Sequence, residues 1–207
     1  MKNLLDVLTA DRGLPAGCDR WGIRTVHPDL RSRHGYRWPW PGQWAHAPGP
    51  IINGNGNEYP IEVGDGICLA RTWATMALAG VPAVTLLLCA WSSADLLSSA
   101  RGDRWRLRRA YVVDIADGAR LVRDHGRDAD LRGADLEGAD LERADLRGAN
   151  LRGANLRRVH MRGANLRGAV LRQAILQGAV LERADLQGAD LQGADLERAD
   201  LRGAVRS

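Results

Sequence analysis

The stretch Ala129-Asp130-Leu131-Arg132-Gly133-Ala134-Asp135-Leu136-Glu137-Gly138-Ala139-Asp140-Leu141-Glu142-Arg143 writes one five-residue pattern three times, and the pattern runs on to Ala204. Leucine recurs at every fifth position from Leu131 to Leu201, replaced once by Met161. Two residues before each stands alanine, or Val159 in one unit, and Asp or Asn usually lies between. A helix cannot hold such a pattern, because at about 100° per residue a five-residue step swings the apolar position round every face. A short extended segment can, since residues two apart point the same way. Alanine and leucine then face inward together, and the residue between them faces out.

Each pentad must turn before the next begins, and glycines such as Gly133, Gly138, Gly148 and Gly153 supply a residue that tolerates tight backbone geometry. Asp and Asn suit corners because their side chains bond to nearby backbone. Short sides joined by repeated corners close into a coil, and stacked coils satisfy each other's backbone groups. On these residues the segment resembles the pentapeptide-repeat family. That resemblance implies a right-handed quadrilateral β-helix whose coils take about 20 residues. The expected architecture is therefore mainly β: a pentapeptide-repeat solenoid of about four coils over residues 126–207, preceded by a small α+β domain over 1–125.

With four pentads per coil, residues twenty apart stack. Arg132, Arg152 and Arg172 then form a ladder continued by Gln192, and Glu142, Arg162, Glu182 and Arg202 form another of alternating sign. Opposite charges support a stack, whereas like charges need a neutralising partner or solvent. From Arg147 to Arg172 the chain carries arginines and His160 but no acid, a basic girdle that either binds an anion or is solvated. The outward position becomes apolar at Val170, Ile175 and Val180, which calls for cover by the N-terminal region or by another protein. The edge of the final coil, near Glu197, Arg198 and Arg202, is expected either to meet a second copy in a two-fold homodimer or to be guarded by charge.

Before the repeats, residues 13–60 are rich in Pro, Gly and Trp, and little regular structure is expected there. Trp38, Trp40 and Trp44 suit a loop-rich core or a base-stacking surface. The Asn53–Asn57 run signals a turn and lacks the Gly-Lys-Ser/Thr of a phosphate loop. Ala74–Trp91 is uncharged and near membrane-spanning length, but Gly80 and Pro82 interrupt it. A helix over about 69–79 and a buried strand over about 83–90 are predicted instead. A second strand is predicted over 104–115, with Trp105, Leu107, Tyr111, Val113 and Ile115 on one side and Arg104, Arg106 and Arg108 on the other. This region weakly resembles an uncharacterised small α+β domain found beside pentapeptide repeats, which implies no activity.

No catalytic residues, cofactor site or metal site emerge: His27, His34, His46, Cys18 and Cys68 lack the close paired spacing of metal ligands. An activity hidden in residues 1–125 stays open. Three unspaced cysteines and no secretory apolar stretch in Met1–Asp11 predict a cytoplasmic, non-membrane protein. The expected role is non-enzymatic binding to a protein partner not identified by sequence. One alternative is the topoisomerase (gyrase) binding by DNA mimicry known in the resembled family, and another is nucleic-acid binding through the basic girdle. Mimicry requires strong negative charge. Residues 126–207 carry 14 basic and 13 acidic side chains, 14 − 13 = +1, and the chain has no phenylalanine of the kind common in the repeats of such inhibitors.

Overall fold

The computed structural model describes residues 3–26, 28–31, 36–47, 67–71, 85–100 and 104–206. Helix α1 (Leu4–Thr9) begins at Asn3, whose side chain accepts a hydrogen bond from the Leu5 amide. Among the described residues seven antiparallel strands follow: β1 (Arg20–Val26), β2 (Gln43–His46), β3 (Ile67–Ala70), β4 (Thr85–Trp91), β5 (Leu96–Ala100), β6 (Arg104–Leu107) and β7 (Arg109–Asp117). They form one sheet in the order β2-β7-β4-β1-β3-β6-β5. A 3-10 turn, Ser93–Asp95, links β4 to β5. Helix α2 (Gly118–His125) then leads into the repeats.

Strand β4 is an unbroken apolar run because it lies inside the sheet with both faces covered. Leu88 packs with Leu5 of α1 and Ile23 on one face. Leu87, Cys89 and Trp91 pack with Leu30, Trp38 and Leu107 on the other. The buried strand expected over 83–90 is thus present as Thr85–Trp91. Among the described residues, no helix is long and apolar enough to cross a membrane.

Three sequence expectations need correction. Residues 13–60 contain β1 and β2, since Arg20–Val26 pairs along the whole of β4 despite the Gly- and Trp-rich surroundings. Leu69 and Ala70, expected at a helix start, lie in β3, where β1 and β6 flank them and outweigh local helix propensity. The rest of that expected helix, 72–79, and the Asn53–Asn57 run lie outside the described residues. The strand expected over 104–115 is two strands, because at Arg108 the chain leaves β3 and β5 and crosses to pair with β4 and β2. Its basic side is correspondingly not one open face: Arg104 and Arg106 are half-buried and only Arg108 is exposed.

From Ala129 onward the backbone follows the pentad rule. Parallel bridges join Asp130 to Asn150, Asn150 to Val170 and Val170 to Asp190, so one coil takes twenty residues, or four pentads. The Leu131 amide donates to the Asn150 carbonyl at 2.9 Å, that of Gly133 to Arg152 at 2.9 Å, and that of Asn150 back to Ala129 at 2.9 Å. Ala134 N–H closes the corner on the Leu131 carbonyl at 3.0 Å. Alanine and leucine fill the interior, and leucines from Leu131 to Leu186 are no more than 3% exposed.

Helix α2 covers the first coil. Its N-terminus is capped by Asp117, which accepts from the Arg120 amide at 3.1 Å. Its Ala119, Leu121 and Val122 join Leu4 and Leu86 in the same apolar cluster as the solenoid leucines. Gly126 makes the join: a Cβ there would lie 2.4 Å from the Val122 carbonyl oxygen and 2.5 Å from Leu146 Cδ2.

Gly126→Ala should lower stability by about 1–3 kcal/mol through this overlap. Gly153, at φ +66° with nothing within 4 Å of a would-be Cβ, isolates the conformational cost alone. Gly153→Ala should cost about 1–2 kcal/mol, and urea denaturation of the full chain measures both changes.

Candidate interaction surface

Because the interior is solid, the solenoid's chemistry is confined to its outward side chains. These fall into three rows per pentad: the residue between alanine and leucine, half-buried except at Asp140, His160 and Val205; the residue after leucine, half-buried or exposed; and the mostly exposed corner residue that follows it. In the first row Asp or Asn commonly accepts from the amide two residues on, as Asp140 does from Glu142 at 3.1 Å. This local bond fixes the side chain and explains why the position favours Asp and Asn.

The arginine ladder is placed as expected but is not starved of carboxylates. Arg132 forms a two-point pair with Asp130, with both N···O distances 2.7 Å. Arg172 reaches Asp190 at 3.5 Å, and Arg167 reaches Asp185 at 3.4 Å. The partner lies eighteen positions along the chain yet directly in the next coil. The acid-free girdle of the sequence is therefore corrected in part: stacking brings the acids of the following coil to Arg162, Arg167 and Arg172. Arg147 likewise pairs with Asp145. In the mixed ladder, Arg162 bridges Glu142 at 3.9 Å and Glu182 at 2.7 Å, while Arg202 turns to Asp200 at 2.7 Å.

Val170, Ile175 and Val180 all lie in the third coil and are half-buried. Val170 stands between Asn150 and Asp190, Ile175 between Asn155 and Asp195, and Val180 between His160 and Asp200. At the final coil Leu191, Leu196 and Leu201 are only half-buried. The charged residues there already pair within the chain, Arg198 with Glu197 at 3.6 Å and Arg202 with Asp200.

Of the tryptophans before the repeats, Trp38 is core, and Trp44 meets Tyr111 edge-on and carries Arg109 over its ring at 4.5 Å. Trp40 is exposed. Cys18, Cys68 and Cys89 are free thiols, and full burial pushes the Cys89 thiol far above its usual range. Among the described residues, no three His, Cys, Asp or Glu side chains converge on a metal position.

One feature of the surface escaped the sequence reading. A groove of about 290 Å³ is lined by Glu137, Arg157, Arg158, Gln177, Gly178, Glu197 and Arg198. Its residues are spaced by twenty, so stacking the sequence in rows of four pentads would have brought them together.

A family model for pentapeptide repeats matches residues 127–163 and 164–203, with 8 copies. No curated protein matches the chain. Among solved structures, it is similar to a pentapeptide repeat protein from the cyanobacterium Cyanothece 51142, with 32% identity over 39% of this chain and 55% of that one, at a TM-score of 0.38. A second, involved in heterocyst differentiation regulation in Nostoc sp. strain PCC 7120, is 45% identical over 39% of this chain and 37% of its own, at a TM-score of 0.38. A third, also from Nostoc PCC 7120, is 37% identical over 39% and 70% of the two chains, at a TM-score of 0.25. The chain thus spans less than two thirds of the first two relatives.

Hydrogen bonds from Arg132, Arg147 and Arg202 hold the carboxyls of Asp130, Asp145 and Asp200 below the ordinary value of 3.8. A depressed folded-state pKa stabilises the fold above the unfolded value and loses that stabilisation as pH falls through the folded value. Thermal stability should therefore decline as pH drops below about 4. Thermal melts across that range should show a shallower decline in Arg132→Gln and Arg202→Gln than in the parent.

Proposed function

Since the chain belongs, through residues 127–203, to the pentapeptide-repeat family, we propose that it is a non-enzymatic interaction protein whose solenoid is a scaffold for a protein partner. In this reading the coil is right-handed and four-sided, with about four turns, and residues 1–125 are a separate domain that covers its first coil. The observation that supports it is the filled interior: the leucines from Leu131 to Leu186 are buried, and the side chains that differ most from coil to coil are the outer ones. A rigid, laddered surface suits recognition, because its side chains lose little freedom on binding. Three free thiols are in keeping with a reducing, cytoplasmic setting.

The surface proposed for contact includes Val170, Ile175 and Val180 with Arg132, Arg152 and Arg172. Half-buried Leu191, Leu196 and Leu201 support a further contact between two copies at the final coil, with Glu197, Arg198 and Arg202 at its rim. Gyrase binding by DNA mimicry is the weaker reading, because the carboxylates of the repeats are largely engaged by arginines of the same chain.

Affinity capture with the tagged full chain, followed by co-elution of the isolated partner in gel filtration, tests the reading. A stoichiometric partner that is lost on changing Val170, Ile175 and Val180 to Asn, Asn and His is expected. Capture that is identical for this variant would remove these residues from the surface. In a supercoiling assay, stoichiometric protein should leave DNA gyrase uninhibited. Sedimentation at micromolar concentration should show a dimer that Leu196→Glu returns to a monomer of 22.6 kDa.

A further inference from the structure

We propose that the notch over Gly178, between Arg158 and Arg198, docks a carboxylate side chain from an extended segment of a partner protein in which amide or basic residues flank the acid. This rests on the interaction-protein reading and specifies the surface that reading would use. Every pentad turns through one residue of positive φ, and glycine holds that position at ten corners from Gly133 to Gly203. Arg143, Arg158, Gln173, Arg183 and Arg198 hold it at the other five, with φ between 52° and 58°, a conformation that glycine would adopt without strain.

These side chains are never stacked on one another. One coil after Arg143, Arg158, Gln173 and Arg183 come Gly163, Gly178, Gly193 and Gly203. The preceding side chain's Cγ lies 3.8, 3.7, 3.6 and 3.4 Å from where each glycine's Cβ would be. Each glycine is therefore a seat for the stem above it, and the charged head is held at the corner's outer edge. These side chains stand at three corners of the coil, Arg143 and Arg183 on one, Arg158 and Arg198 on a second and Gln173 on a third, and backbone strain of this kind points to use of the heads that it displays.

Among the corner arginines the heads differ. Arg183 pairs with Glu182 at 3.7 Å and Arg198 with Glu197 at 3.6 Å. Among the described residues, Arg158 makes no ion pair, and its neighbour Arg157 donates to the neutral oxygens of Gln177 at 3.1 Å and Asn155 at 3.4 Å. Two adjacent guanidinium groups thus lack a carboxylate at the centre of the 290 Å³ groove. A bound anion would complete them.

The groove's ends decide which anion. Glu137 and Glu197 close it on either side of the arginines. A nucleic-acid strand, charged at every phosphate, would have to lie against both. A peptide with one carboxylate at the centre and amide or basic donors on its flanks meets all the charges with the correct sign.

Fluorescence anisotropy of a fluorescein-labelled peptide with one central glutamate flanked by glutamine and lysine against the full chain tests the proposal, with labelled oligothymidylate as the competing polymer. Binding of this peptide is expected to weaken about tenfold in Arg157→Gln/Arg158→Gln. It should weaken also in Gly178→Gln, which fills the notch with a side chain that the equivalent position of the neighbouring corner accepts at Gln173. Arg120→Gln, on helix α2, should bind as the parent does. Circular dichroism checks that each variant is folded. No binding by the parent, equal binding by the double variant, or preference for oligothymidylate overturns the notch. So does a captured partner whose binding survives the double variant, and that outcome leaves the interaction-protein reading standing.

Discussion

The interlock of alanine and leucine inside a twenty-residue coil is the constraint from which the rest follows. Residues two apart on a short extended segment must both point inward, so the chain has three remaining residues per pentad in which to turn and restart. That spacing forces one positive-φ corner per pentad and sets the parallel bonds between coils. Once these are fixed, every outward side chain has neighbours at twenty residues and, on the diagonal, at eighteen. Charge pairing and the shape of the surface are consequences of that lattice.

The lattice explains which parts were legible in the sequence. Period, inward residues and the pairing of positions twenty apart follow from one short motif, because each unit repeats the same local physics. The neutral balance of the surface was only half legible. Read along the chain, Arg167 and Arg172 stand far from any acid, yet Asp185 and Asp190 meet them across one coil. A window of sequence cannot show this, whereas the diagonal of the stack does. The groove around Gly178 was hidden for the same reason.

The N-terminal sheet was legible at the largely apolar β4 and, as one strand over 104–115, at β6 and β7. Strand β4 announced itself, since burial on both faces leaves no polar position. Strand β1 did not, because Arg20 and Arg24 interrupt it and Gly22 packs close to Leu69. Strand β3 is four residues long and takes its conformation from β1 and β6 on either side. Its short run of Ile, Cys, Leu and Ala fits a helix start equally well. Non-local pairing decided these elements, and local propensity carries little information about it.

The row between alanine and leucine shows how the solenoid handles its own charge. The first coil has Asp130, Asp135, Asp140 and Asp145 there, and the second has Asn150, Asn155, His160 and Asn165. The third has Val170, Ile175, Val180 and Asp185, and the fourth Asp190, Asp195, Asp200 and Val205. In no column do two carboxylates stack directly. At a coil spacing of about 4.8 Å, two such charges would repel by about 1 kcal/mol even in water. The second coil also bonds to the first, with Asn155 Nδ2 donating to Asp135 Oδ1 at 3.0 Å. The apolar belt in the third coil thus has an intramolecular reason to exist: it separates the amide row from the acids of the fourth coil without requiring a hydrogen-bond partner of its own. Half-buried between its neighbours, the belt has little apolar area left to drive association. A partner recognised here would read the polar rows on both sides of the belt as much as the belt itself.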